Sequence, residues 1–364
     1  MDPTSELSQL LRPAGGGLYV VSTGRAEQEA MQRKLYCAHN EAEVTERWLA
    51  SLEKIAQARV VVLGIPSDVG AGFLRGANIG PQAIRAHMLE EDPDYPAWCE
   101  ASGVVDLGDV RVVPQLLHDE MLAPAQIDAS RRALYGDTPD RAMPVSPLSI
   151  AERALDLVLA RNPQVKPFML GGDHSCAWPV TAALFRARPG FGIVQIDAHT
   201  DLLAERLGVR ICFATWSHHA NLLIGGQGRM TQVGIRATRH PRAHWESTAG
   251  VRQFWSSECV ADEARAIDDI VAHVKSTGVR GVYFSNDIDG TDERWADATG
   301  TPEPGGLSVD FVSELIDRLG REVGLVAGDV VEVAPPIART QGGAAVTLST
   351  ATRYMRRTLA ALVS

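Results

Sequence analysis

Residues 281–292 read GVYFSNDIDGTD. An unbroken apolar run ends there, and Asp287, Asp289 and Asp292 follow almost at once. A run without polar alternation reads as a strand covered on both faces, the condition of a strand inside a parallel sheet. In extended chain, residues i and i+2 point the same way, roughly 6–7 Å apart. Asp287 and Asp289 therefore share a side, and two carboxylates at a buried strand end need a counter-charge.

The same grammar recurs along the chain. From Val60 onward the runs VVVLGIP, GVVDLGD, PFMLGGD, FGIVQID, MTQVGIR and VAGDVVEV alternate with helical stretches. SIAERALDLVLARNP is expected to open on a capping box, Ser149 with Glu152, and to stop before Pro163. SVDFVSELIDRLG is expected to start at Ser308 and end on Gly320. Strand and helix in alternation predict a three-layer α/β/α sandwich around a mostly parallel sheet. Residues 1–58, with a glycine turn at Gly15–Gly17 and the stretch EVTERWLASLEKIAQA, read as an N-terminal extension to a domain over 59–364. Residues 111–148, with several prolines and no clear period, read as an inserted excursion.

Bulk properties narrow the class. A formal charge of −10 over 364 residues argues against nucleic acid or an anionic membrane as partner. Five cysteines, an odd number with no Cys-x-x-Cys pair, suit reduced thiols in a cytosol. The opening MDPTSELSQLLRPAGGG has no apolar core of the kind a secretory signal carries. No apolar run approaches the roughly 20 residues that span a bilayer. A soluble cytoplasmic protein is the expectation.

In open α/β sheets, ligands gather beyond the carboxyl ends of the strands. Three polar clusters fall there: GGDHS with His174, DAHTD with Asp197, His199 and Asp201, and NDIDGTD with Asp287 and Asp289. Carboxylates converging in a partly buried cleft repel one another unless cations join them, and two divalent ions supply that charge. Carboxylate with imidazole suits Mn, Ni, Fe, Co or Zn better than Cu. A pair of such ions also makes a water nucleophilic at neutral pH. A calcium loop starting at Asp287 is excluded, because Asp292 stands at its sixth position and Ala298 at its twelfth.

With these clusters in order, the sequence resembles the ureohydrolase family of arginases and agmatinases, from VVLGIPSDVGAGFLRGANIGPQAIR to GDVVEVAPP. GGDHS, DAHTD and SNDIDGTDERWADATGTPEPGGLS carry the resemblance. It implies a three-layer α/β fold, a dinuclear metal centre, trimeric or hexameric assembly, and hydrolysis of a guanidino C–N bond with release of urea. One metal would be held by His174, Asp197, Asp201 and Asp287. The other would take Asp197, His199, Asp287 and Asp289. Glu332 in VVEVAPP matches the carboxylate that grips the guanidinium, where two parallel charge-assisted hydrogen bonds are available.

Three departures bear on the substrate. The place of the family's proton-shuttling histidine falls near Cys212, and His218 and His219 follow as candidate shuttles. Leu202, Leu203 and Ala204 stand where arginases hold the amino-acid end of arginine, which argues against arginine. Ala334 and Glu293 replace the usual asparagine and proline. The altered segment brings Cys212, Phe213 and Trp216, with Trp178 after GGDHSC; aromatic faces hold small, poorly hydrated cations. With the N-terminal extension and VVPQLLHDE, these features resemble the branch acting on free guanidine or N-methylated relatives such as metformin, in which nickel is used. The expected partner is thus a small cationic guanidine, with two Ni or Mn ions as cofactors. The expected assembly is a homotrimer, a homohexamer or a mixed complex with a sister subunit. An agmatinase or guanidino-acid hydrolase, a silent regulatory subunit, and a deacetylase on a related scaffold are the alternatives.

Overall fold

The computed structural model describes residues 3–18, 22–72, 74–137 and 142–364. Among the described residues nine strands form one sheet: β1 (Leu11–Arg12), β2 (Val60–Ile65), β3 (Val104–Val110), β4 (Lys166–Gly171), β5 (Gly192–Ile196), β6 (Met230–Ile235), β7 (Arg252–Trp255), β8 (Val282–Asn286) and β9 (Leu325–Val330). Their spatial order is β1-β3-β2-β4-β9-β8-β5-β6-β7. Only β1 runs antiparallel, pairing Leu11 with Val110 and Arg12 with Asp109. Every residue of β2, β5, β6 and β8 is buried. Alternate residues face opposite sides of a sheet, so both faces are covered and the architecture has three layers. Each fully buried Val, Ile, Leu or Phe on these strands contributes about 1.5–3 kcal/mol.

All the apolar runs read from the sequence are strands. The helices differ in detail. The first of the two expected helices spans Pro147–Arg161, starting two residues before the expected capping box. Pro147 starts it because a missing N–H costs nothing in a first turn. Ser149 Oγ instead accepts from the Asp119 amide at 3.0 Å, and Glu152 pairs with Arg186 at 2.6 Å. The later helix does begin at Ser308, whose hydroxyl accepts from Phe311 N, but it runs on to Glu322. Gly320 lies inside it because a Cβ there would come 2.8 Å from Ala361 Cβ on the neighbouring helix Gly343–Val363. Within the 111–148 excursion the described residues contain a helix, Pro124–Tyr135.

Residues 3–18 and 22–58 pack against the sheet. Leu7, Leu10, Leu11, Met31, Trp48 and Leu52 belong to the same apolar core as the strands. The Trp48 indole donates to Leu107 O at 2.9 Å on β3. Arg85, fully buried, donates to Asp106 at 2.8 Å and Asp109 at 2.6 Å, while the other Asp109 oxygen accepts from Gly15 N at 2.7 Å. The glycine turn is thereby tied to β3. Among the described residues no helix is long and apolar enough to cross a membrane.

The chain leaves β4, passes over two strand positions to build β5, and fills that gap later with β8 and β9. Four adjacent strands, β4-β9-β8-β5, therefore present their carboxyl ends side by side at a switch in strand order.

Candidate metal centre

Each of those four strand ends delivers part of one constellation: His174 after β4, Glu332 after β9, Asp287 and Asp289 after β8, and Asp197, His199 and Asp201 after β5. The turns are tightly packed. A Cβ on Gly290 would lie 2.7 Å from Asp197 N, and one on Gly172 would strike Ser67 O, so only glycine lets these loops close on each other.

His174 Nδ1 stands 3.1 Å from Asp197 Oδ2, 3.1 Å from Asp287 Oδ2 and 3.4 Å from Asp201 Oδ2. His199 Nδ1 stands 3.1 Å from Asp289 Oδ2 and 3.5 Å from Asp197 Oδ1. Two overlapping groups result, His174–Asp197–Asp201 and Asp197–His199–Asp289, each able to hold an ion. Asp197 belongs to both, and Asp287 meets the first across His174. All but His199 are buried; that ring is 28 % exposed and marks the open side. At 3.8 Å from its Nε2 lies Glu303 Oε1.

The charges agree with a cation site. Burial pushes Asp201 up to about 7, with Asp197 adding repulsion. Asp287 is raised well above the carboxylate range by burial and by Asp289 and Asp197. Burial opposes ionisation of Asp197 too, but the adjoining rings of His174 and His199 hold it well below its ordinary value. His174 Nδ1 is buried without a good hydrogen-bond partner although three carboxylate oxygens surround it. An imidazole nitrogen among carboxylates that repel one another fits a divalent metal.

A further layer orients these groups. His174 Nε2 meets Ser285 Oγ at 3.1 Å, and Ser285 donates to Asp329 Oδ2 at 2.9 Å. That contact leaves Nδ1 for the cluster, as is usual for metal-binding histidines. The Trp216 indole donates to Asp201 Oδ2 at 3.2 Å, and Gln195 donates to Asp197 Oδ2 at 2.7 Å. Thr301 donates to Asp289 Oδ2 at 3.0 Å. The Arg236 guanidinium donates to the carbonyls of Asp289 at 2.7 Å and Glu303 at 2.8 Å, stapling the β8 turn to the 301–306 loop. Sequence reading passed over Ser285, Asp329, Gln195, Thr301 and Arg236. The serine and the two polar residues on buried strand runs were the available signal.

Glu332 accepts from His174 N at 2.9 Å through Oε1, while Oε2 faces Gly300. Burial first, then repulsion from Asp173, raises its pKa well above the usual range. Glu332 and Asp201 both hold positive φ, 62° and 51°. That conformation costs a non-glycine residue about 1–2 kcal/mol and gathers at functional sites.

The aromatic candidates are placed differently from an open cationic cage. Trp216 is fully buried behind His174, ring centroids 4.5 Å apart. Trp178 and Phe213 already carry the chain's own cations, Arg210 at 5.6 Å and Arg206 at 4.9 Å from the ring centres. Phe213 and Cys212 line a cavity of about 310 Å³ with Gly70, Leu116 and Arg206. Gly70 adjoins the GGDHS turn, since a Cβ on it would come 2.6 Å from Ser175 Oγ. His218 and His219 lie on the helix Trp216–Ile224, part-exposed, and burial lowers the pKa of both. His219 Nε2 is engaged with Ala204 O at 2.9 Å, and the His218 amide meets Asp201 O at 3.3 Å.

An Asp/His cluster at the carboxyl edge of a mostly parallel sheet makes this an α/β protein with a candidate divalent-metal site. Residues 58–360 match the family model of arginases, and the chain belongs to the arginase family; it is a ureohydrolase. It is 30 % identical over 284 residues to a guanidinobutyrase of Pseudomonas aeruginosa, covering 75 % of this chain and 78 % of that one. It is 32 % identical over 282 residues to an N(1)-aminopropylagmatine ureohydrolase of Thermus thermophilus, covering 77 % and 84 %. Among solved structures, the proclavaminate amidino hydrolase of Streptomyces clavuligerus superposes with a TM-score of 0.64 at 28 % identity, over 84 % of this chain and 91 % of that one.

Proposed function

We propose that this chain hydrolyses a C–N bond of a small guanidine compound, free or N-methylated, releasing a urea and ammonia or an amine. The observation that carries the reading is the shared geometry of His174. Its ring faces three carboxylates, while its backbone N–H holds Glu332 beside them. His174, Asp197, Asp201 and Asp287 would hold one divalent ion, and Asp197, His199, Asp287 and Asp289 the other, nickel or manganese. When bound, such ions neutralise the cluster and lower the pKa of a water enough to make it a nucleophile.

The chain's own residues supply the rest. Ionised Glu332 grips the planar guanidinium by charge-assisted hydrogen bonds and fixes its carbon beside the cluster. The open side carries His199 and Glu303, which favours entry of a cation. Departure of the amine needs a proton, for which His218 and His219 are the candidate sources from this chain. Leu202 and Leu203 offer no polar grip for an α-amino acid end.

A second reading, a guanidino acid, has one observation in its favour. Arg206 lines the cavity beside Cys212 and Phe213, where its guanidinium can receive a carboxylate tail. The guanidinobutyrase relative is in keeping with it.

Urea release from guanidine, methylguanidine, metformin, agmatine, 4-guanidinobutyrate and arginine, each with nickel- and manganese-loaded protein, separates the readings. Turnover of the compact guanidines supports the first. Preference for 4-guanidinobutyrate, abolished by Arg206→Ala, supports the second. Bound metal with no turnover of any of the six overturns both, and would suit a subunit that needs a sister chain. A cytoplasmic enzyme that works as a trimer or hexamer is part of the same proposal.

A further inference from the structure

Three glutamines stand side by side on adjacent parallel strands. Gln253 of β7 is in register with Gln232 of β6, and Gln232 with Gln195 of β5. All three are fully buried, where an amide without partners is costly. Their side chains form one continuous line. Trp255 Nε1 donates to Gln253 Oε1 at 3.0 Å, Gln253 Nε2 to Gln232 Oε1 at 2.9 Å, Gln232 Nε2 to Gln195 Oε1 at 2.8 Å, and Gln195 Nε2 to Asp197 Oδ2 at 2.7 Å.

The direction of this line is dictated by its ends. An indole N–H can only donate and an ionised carboxylate can only accept. Each amide between them has one way to face if every bond is to be made. Side branches agree: Gln232 Nε2 also donates to Thr200 O at 2.6 Å, and Ser217 Oγ donates to Gln195 Oε1 at 2.8 Å. Aligned hydrogen bonds polarise one another, so the last donor is stronger than an isolated amide.

We propose that the Gln253–Gln232–Gln195 ladder is a positioning device for Asp197, setting the affinity of the metal centre from the edge strand of the sheet. The inference rests on Asp197 being a metal ligand. Asp197 is the carboxylate common to both groups able to hold an ion, so its orientation governs both. Gln195 occupies a fixed part of Oδ2 and holds the carboxylate plane, leaving the remaining lone pairs toward His174 and His199. Loss of an outer hydrogen bond to a metal ligand typically costs 10–100-fold in affinity.

The test is calorimetric titration of Mn²⁺ and Ni²⁺ into metal-free full-length protein, with thermal unfolding of the same metal-free samples. Gln195→Met is expected to weaken metal binding at least tenfold. Gln253→Met, two strands away, is expected to weaken it about two- to fivefold. Once Gln195 is replaced the far end is disconnected, so the double variant should bind like Gln195→Met alone. Asn221→Ala, which removes a buried side chain's hydrogen bond to Ala249 O away from the line, should lower the unfolding temperature and leave metal affinity unchanged.

Wild-type affinity in Gln195→Met overturns the ladder and leaves the metal centre standing. Fully additive losses in the double variant, or an equal loss in Asn221→Ala, also overturn it, because general loosening would then explain the effect. If the wild-type chain binds neither ion, the metal reading fails and the ladder's role fails with it.

Discussion

The backbone N–H of His174 donates to Glu332 Oε1 at 2.9 Å. One hydrogen bond thus joins a metal-site histidine to the carboxylate proposed to hold the guanidinium, across the adjacent ends of β4 and β9. Neither group can shift without the other, so the candidate metal cluster and the carboxylate proposed for the guanidinium are held in one frame.

Glu332→Gln should separate charge from position. The amide oxygen still accepts from His174, but the ion pair with guanidinium is lost. We expect kcat/KM to fall by about 10²–10³, near 3–4 kcal/mol of lost transition-state binding, with metal content unchanged. Glu332→Ala also frees the His174 amide and should reduce metal content as well. Elemental analysis beside the kinetics distinguishes the two; metal loss in the glutamine variant would sink the assignment.

Metal binding should be proton-linked. In the metal-free protein Asp201 sits at about 7 and Asp287 well above its ordinary value, both through burial and repulsion. Groups whose folded pKa exceeds the unfolded value stabilise the fold at low pH, and that stability drains away as pH rises from about 4 through 7. Ions compete with the same protons and bind better as pH rises. Addition of Mn²⁺ or Ni²⁺ should therefore raise Tm more at pH 8 than at pH 5.5. Equal shifts at both values would show that these carboxylates do not carry the ions.

His218→Ala and His219→Ala test the proton source. With His219 engaged on Ala204 O, its removal should change kcat less than about threefold. Should either variant lose tenfold or more with full metal content, and regain it with added imidazole, that histidine is the shuttle.

Arg85→Met should strike the fold rather than the chemistry. It leaves Asp106 and Asp109 without their buried partner, and breaking such a pair costs about 3–5 kcal/mol. Chemical denaturation of the metal-free protein measures this directly; a loss under 1 kcal/mol would mean water replaces the guanidinium.

Much of this was legible in the sequence, for identifiable reasons. Buried parallel strands leave unbroken apolar runs, and polar clusters directly behind them mark the edge of the sheet where the candidate site lies. β1 and β7 escaped notice, because Leu11–Arg12 is too short and RQFW too polar to stand out. Ser149 mimicked a cap because a capping box is a local pattern, whereas the helix start was decided by Pro147 and by Asp119 claiming the hydroxyl. The glutamine ladder could not be read at all. It depends on which residues of three separate strands stand opposite one another, and register is a property of the assembled sheet. Trp178 and Phe213 looked like free aromatic faces until the fold laid Arg210 and Arg206 over them.

The antiparallel pairing of Leu11 and Arg12 with β3 has a consequence for how the protein behaves at high concentration. A bare sheet margin offers unpaired amides and carbonyls to any neighbouring chain. The N-terminal segment closes that margin with two residues of backbone and a mat of buried leucines. A chain trimmed to residues 58–360 would retain every candidate metal and guanidinium residue yet leave β3 open along its length. Clumping is the fate the fold assigns to it.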